Sequence, residues 1–193
     1  MKRIGLGFLF LFSTALLNCA KKEEAKLKVD AGNRLYHQKQ LGPALSMYKQ
    51  AIELDPGNEV ALMMAGKTLF YSREYDEARH FFQKALDTNQ HKISAMIWIA
   101  KIDILSKNDY QKAADLLEQA LAYDDSNIEA LFFKAVIHER RNEIPQAIEA
   151  YRIAAEECKK AIPVFSRIAE FFDKAGIQSE AERYRRMAAV LAQ

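Results

Sequence analysis

The chain has little of what most protein chemistry requires. Only Cys19 and Cys158 occur in 193 residues, so neither a disulfide framework nor a cysteine-rich metal site is on offer. The four histidines, His37, His80, His91 and His138, are scattered. None stands four residues from another, the spacing by which one helix face grips zinc. Of seven glycines, Gly5 and Gly7 lie near the start and the rest are isolated, which excludes a glycine-rich phosphate loop. No serine sits in a nucleophile-elbow context. Prolines number four and half of the residues are apolar, a composition that excludes a disordered chain. Nothing here supports an enzyme, a metal site or a cofactor.

Charge is nearly balanced, with 28 Lys and Arg against 26 Asp and Glu. Lys2 and Arg3 belong to the first 18 residues, and beyond them 26 basic residues meet 26 acidic ones. No net positive field and no polybasic stripe interleaved with aromatics remains to favour nucleic acid. Those first residues read as an export signal. A basic start is followed by an apolar run from Ile4 to Leu17, short of the roughly 20 residues that span a bilayer. Leu16-Leu17-Asn18-Cys19 resembles the lipobox of bacterial lipoproteins, in which the cysteine is acylated and becomes the mature N-terminus. Asn18 departs from the usual Gly or Ala, so an uncleaved anchor and a plain secretory signal stay open. The resemblance implies a signal over residues 1–18, a lipidated Cys19 and a flexible charged tether over residues 19–24. It also implies anchorage in a bacterial envelope, with the outer membrane facing the periplasm favoured by Ala20. Cys158 is then alone and reads as a half-buried small residue.

What the chain does have is a period. Residues 73–86, REYDEARHFFQKAL, carry Ala78, Phe82 and Ala85 in a frame found also at Ala44, Tyr48, Ala51, at Ala113, Leu117, Ala120, at Ala147, Tyr151, Ala154 and at Ala181, Arg185, Ala188. The steps from Ala44 through Ala78, Ala113 and Ala147 to Ala181 are 34, 35, 34 and 34 residues, the signature of a helical repeat array. Five units follow, over residues 25–58, 59–92, 93–127, 128–161 and 162–193. The additional residue of the third is expected in the turn at Ser106-Lys107-Asn108-Asp109. Pro43 and Pro145 suit the first turn of second helices, and Asp55-Pro56-Gly57-Asn58 is a strong stop.

Small residues in the first helices (Gly32, Gly66, Ala100, Ala135, Ala169), the Ala-aromatic-Ala frame of the second and Pro56 together resemble tetratricopeptide repeats. The resemblance covers residues 25–193 and implies an all-α fold, a right-handed α-solenoid of about five helix-turn-helix units preceded by the signal segment. Gly32 and Gly66 are expected to face Ala44, Ala51, Ala78 and Ala85 where helices approach. Leu54, Phe82, Leu86, Leu117, Leu121, Ile148 and Tyr151 should form the stripe offered to each next unit. Arg185, at the aromatic position of the frame, and the charged residues around it read as a polar cap.

In such arrays the first helices line a concave groove. Its positions here would include Met63, Met64, Lys67, Phe70, Tyr71, Ile97, Trp98, Lys101, Phe132 and Phe133, about half of them packed between helices. Trp98 and Phe133 are the expected exposed anchors, with Lys67 and Lys101 as polar margin. The family's clamp for a C-terminal carboxylate is unsupported, because Asn33 fits it but Met64 and Trp98 do not. The resemblance implies a non-enzymatic, membrane-anchored scaffold that takes a protein or peptide segment, in envelope assembly or secretion. Alternatives are a self-associating structural lipoprotein and an accessory factor like the pilotins or the lipoproteins of barrel assembly.

Overall fold

A computed structural model describes residues 5–88, 93–174 and 176–192. The basic start at Met1-Lys2-Arg3 and His91 lie outside them. Among the described residues there are ten α-helices, one π-helical turn and no strand. The helices are α1 Gly5–His37, α2 Leu41–Leu54, α3 Glu59–Tyr71, α4 Tyr75–Thr88, α5 Ile93–Ile102, α6 Tyr110–Tyr123, α7 Ile128–Arg140, α8 Ile144–Lys159, α9 Ile162–Lys174 and α10 Gln178–Leu191. They divide into two compact units, Met1–Ile102 and Asp103–Gln193.

Local chemistry sets the element ends. Each first helix closes on a residue in the left-handed region: Lys39 (φ 60°), Arg73 (φ 64°), Asn108 (φ 49°), Asn142 (φ 60°) and Gly176 (φ 75°). The next amide reaches back five residues to a carbonyl, as from Gln40 to Leu35 (2.9 Å), Glu74 to Leu69 (2.9 Å), Glu143 to His138 (2.9 Å) and Ile177 to Phe172 (2.9 Å). This bond satisfies a carbonyl that the helix end would otherwise leave open. In the third repeat the bond runs from Asp109 to Asp103 (3.0 Å), six residues back. The additional residue is therefore absorbed in the π turn Asp103–Lys107, which begins three residues before the turn the sequence suggested and shares Ser106 and Lys107 with it. Wider i→i+5 turns take up one residue in this way. On the other side, Asn58 and Asn127 accept from the amides of Ala61 (3.0 Å) and Ala130 (3.1 Å), capping α3 and α7.

In the first unit α1 packs on α2, α2 on α3, α3 on α4 and α4 on α5. The frame alanines Ala44, Ala51, Ala78 and Ala85 are fully buried. The glycines, however, face aromatic rings and not alanines. A Cβ on Gly32 would meet Cε1 of Tyr48 at 2.6 Å, and one on Gly66 would meet Cε1 of Phe82 at 2.6 Å. The flat ring occupies the space a side chain would need. In sequence, the third repeat carries Ala100 and Leu117 at the frame positions of Gly66 and Phe82. Gly66→Ala is expected to cost about 1–3 kcal/mol from overpacking, partly offset by about 1 kcal/mol of helix propensity. Adding Phe82→Leu should recover part of the overpacking loss, so the pair will be less destabilised than the two single changes summed, as a double-mutant cycle in urea would measure.

One expectation about this unit is corrected. The charged stretch after Cys19 is helical and continuous with the first repeat helix, all within α1. Lys21, Lys22, Glu23, Glu24, Ala25 and Lys26 are strong helix formers, and no Gly or Pro interrupts between Gly7 and Gly32. A flexible tether is not what these residues build.

In the second unit α6 packs on α7, α7 on α8 and α9 on α10. Ala113, Ala120, Ala147, Ala154, Ala181 and Ala188 are buried, which carries the frame to the end. The expected stripe is incomplete here: Leu117 is fully buried, but Ile148 is 64% exposed. Arg185 ion-pairs with Asp173 across the α9–α10 hairpin. Arg183, Arg185 and Arg186 of the expected polar cap are exposed, but the helix is not polar throughout, because Met187 and Val190 are exposed as well.

Candidate functional site

Three successive first helices bring aromatic side chains together in the first unit. Tyr36 of α1 lies 6.3 Å from Tyr71 of α3, centroid to centroid, and Tyr71 lies 6.1 Å from Trp98 of α5. Phe70 sits edge-on to Trp98 at 4.9 Å and to Tyr75 at 5.4 Å. Behind them Phe82 stacks on Trp98, 5.6 Å apart and 14° from parallel. The ammonium of Lys101 stands 3.8 Å from the Trp98 centroid and that of Lys67 5.6 Å from it, so the indole face is held by two cations. Contiguous rings at these distances are a rigid apolar platform.

The candidate residues therefore separate by depth. Tyr71 is 57% exposed and forms the surface of the cluster. Met63, Met64, Lys67 and Phe70 are half-buried beside it. Ile97 and Trp98 are buried, at 1% and 8% exposure, and so is Lys101. This corrects the assignment of Trp98 as an exposed anchor and of Lys101 as polar margin. Trp98 is a core side chain that supports Phe70 and Tyr71 from below. Tyr36 was missed by the sequence reading, although its place in the last turn of a first helix matches that of Phe70.

The two phenylalanines of α7 belong to the second unit. Phe132 is 44% exposed, edge-on to half-buried Phe133 at 5.3 Å, and it lies 5.7 Å from Tyr151 of α8. Phe132, and not Phe133, is thus the exposed one. The Tyr151 hydroxyl donates to Glu139 at 2.7 Å. His138 is half-buried, with Nδ1 2.6 Å from Glu143 Oε2 across the α7–α8 turn.

Asn33 is engaged in the framework, accepting from the Tyr48 hydroxyl at 2.9 Å. Burial, and then the nearby Tyr36, push the Tyr48 phenol up to about 12. The Tyr36 phenol is raised by burial and by Tyr71. An unfolded tyrosine titrates near 10, so the fold favours neutral Tyr48. That contribution is complete below pH of about 10 and is lost as pH rises from about 10 to about 12. Tyr48→Phe should lower stability by about 0.5–1.5 kcal/mol at neutral pH. It should also flatten the alkaline loss over that window, as urea titrations at stepped pH would record.

Among the described residues no group of three or more His, Cys, Asp or Glu side chains is placed to hold a metal ion. No helix among them is long and apolar enough to cross a membrane. Cys19 is an exposed free thiol and Cys158 a half-buried one.

The chain matches, over residues 17–172, the family described as Tetratricopeptide repeat protein 21 N-terminal ARM repeat. Solved structures of the same fold include the MamA protein, 21% identical, covering 88% of this chain and 92% of that one with a TM-score of 0.63. YrrB, described as a tetratricopeptide repeat protein with an unusual peptide-binding site, is 20% identical, with 88% and 87% covered and a TM-score of 0.59. The first such domain of Spaghetti, solved with an HSP90 peptide, is 18% identical, with 68% and 95% covered and a TM-score of 0.55. The recurring alanine frame, the left-handed turn that ends each first helix and the family match agree, and the chain belongs to the tetratricopeptide repeat proteins, in the family of that N-terminal ARM repeat.

Proposed function

We propose that this protein is a lipid-anchored adaptor of the bacterial cell envelope that holds an apolar segment of another protein against the platform of its first unit. The observation that carries the reading is Tyr71, 57% exposed and backed by Tyr36, Phe70 and buried Trp98. A large exposed ring fixed from below loses little freedom on binding, the property of an anchor residue. Lys67 beside it offers a cation to a carboxylate or carbonyl of the bound segment. YrrB and the Spaghetti domain, of the same fold, are described with peptide sites, which favours a peptide or protein partner. Such a segment would enter as an extended chain or an amphipathic helix.

Anchorage rests on Leu16-Leu17-Asn18-Cys19 and on the exposure of the Cys19 thiol. Acylation at Cys19 would supply the membrane attachment, since two or more chains hold a protein on a bilayer stably. Attachment at the outer membrane, facing the periplasm, and service in envelope assembly or secretion complete the reading.

Photocrosslinking from position 71 in cells producing the full chain tests the binding. A discrete protein adduct that Lys67→Glu diminishes supports it. The same adducts from position 83, on the exposed side of α4, would overturn it. For the anchor, Cys19→Ala should move the protein to the soluble envelope fraction, and retention in the membrane would refute acylation there.

A further inference from the structure

The internal repeats provide their own standard for what an exposed position should carry. Six residues after the first alanine of the frame stand Gln50, Lys84, Gln119 and Ile153, and nine after it stand Glu53, Asp87, Ala122 and Glu156. In α10 the same places hold Met187 and Val190, so α10 alone is apolar at both. They are 38% and 70% exposed, so the change does not fill the core. Together with Phe165 of α9 and Leu191 they line an open groove of about 530 Å³. That volume is in the range of sites that take several apolar groups.

Charge identifies what fits. Arg183 and Arg186 line the same groove. Both are well exposed and, among the described residues, pair with carboxylates of their own helix, Glu180 at 3.3 Å and Glu182 at 3.7 Å. Exposed pairs at this spacing are weak and readily exchanged. An incoming carboxylate flanking an apolar side chain would find an arginine at the rim and an apolar floor beneath. The groove is open, with Phe165 on the α9 side and the other lining residues on α10.

We infer that the groove between α9 and α10 is a second docking site, which takes an acidic amphipathic helix of another protein. Apolar residues at i, i+4 and i+7 of that helix fill the floor, in the helix-in-groove manner, and its flanking Glu or Asp side chains meet Arg183 and Arg186. The inference is independent of the lipid anchor and of the Tyr71 platform.

The experiment uses the full chain and two fluorescent synthetic peptides with identical apolar positions, one with Glu and one with Lys at the flanks. Fluorescence anisotropy should show the Glu peptide bound more tightly by about tenfold or more. Met187→Lys with Val190→Asp, which installs the residues of α4, should remove that binding. Arg183→Glu with Arg186→Glu should reverse the preference between the peptides, a readout that misfolding would not produce. Equal binding of the two peptides by the wild type overturns the inference. So does binding that survives Met187→Lys with Val190→Asp in a chain of unchanged helicity. Blocking of the groove by a second copy, seen as self-association that those substitutions abolish while neither peptide binds, also overturns it. Binding to phosphatidylglycerol vesicles with no peptide binding would do the same.

Discussion

Phe82→Ala will lower the stability of the first unit by about 3–5 kcal/mol. The ring is fully buried and lies against Gly66 on one side and Trp98 on the other. Truncation removes its transfer free energy and leaves a cavity that Gly66, having no side chain, cannot fill. Phe82→Leu should cost much less, because Leu117 occupies the same frame position in the third repeat, where it is also fully buried. Urea unfolding followed by circular dichroism measures both. A loss below about 1 kcal/mol for the alanine variant would mean that the crossing collapses around the gap.

Trp98→Ala should cost as much, about 3–5 kcal/mol, and this decides between two roles for the residue. A ring exposed in a binding groove can be removed within about 0.5 kcal/mol, as for most surface substitutions. At 8% exposure, stacked on Phe82 and under the ammonium of Lys101, Trp98 is framework. Its removal also deprives Lys101 of a cation–π contact in a buried setting. The Phe82 and Trp98 losses should not add. Their stacked pair predicts a coupling of about 0.5–1.5 kcal/mol in a double-mutant cycle. Loss of partner binding in a Trp98 variant would therefore report on folding, and Tyr71 is the residue through which binding should be probed.

The alanine frame was legible because these small side chains recur with the period, and all of them are buried. The turn after the first unit was legible from Asp55-Pro56-Gly57-Asn58, where turn and cap chemistry coincide. The depth of Trp98 was not. α5 is buried over nearly its whole circumference, from Ala95 to Ile102, and a helix apolar all round offers no polar face by which to orient it. In α10 the error ran the other way. Arg183, Arg185 and Arg186 made the helix look like a solvated cap, while Met187 and Val190 were legible only by comparison with Lys84 and Asp87 at the same frame positions. Where the residues after an apolar run are good helix formers, composition alone does not separate a tether from a helix, and α1 runs through.

The π turn at Asp103–Lys107 has a consequence for how this chain accepts changes in length. Inserting or deleting one residue inside an α-helix turns everything beyond it by about 100°, which would swing a buried face into water. Here the step from Ala78 to Ala113 is one residue longer than the others, yet Ala113, Leu117 and Ala120 are all buried. The wide turn takes up the surplus before the next helix begins. It acts as a slip joint, at which copying errors in a tandem array are confined to one loop of backbone. The repeat that carries it is longer by one residue, and its second helix still buries the full frame.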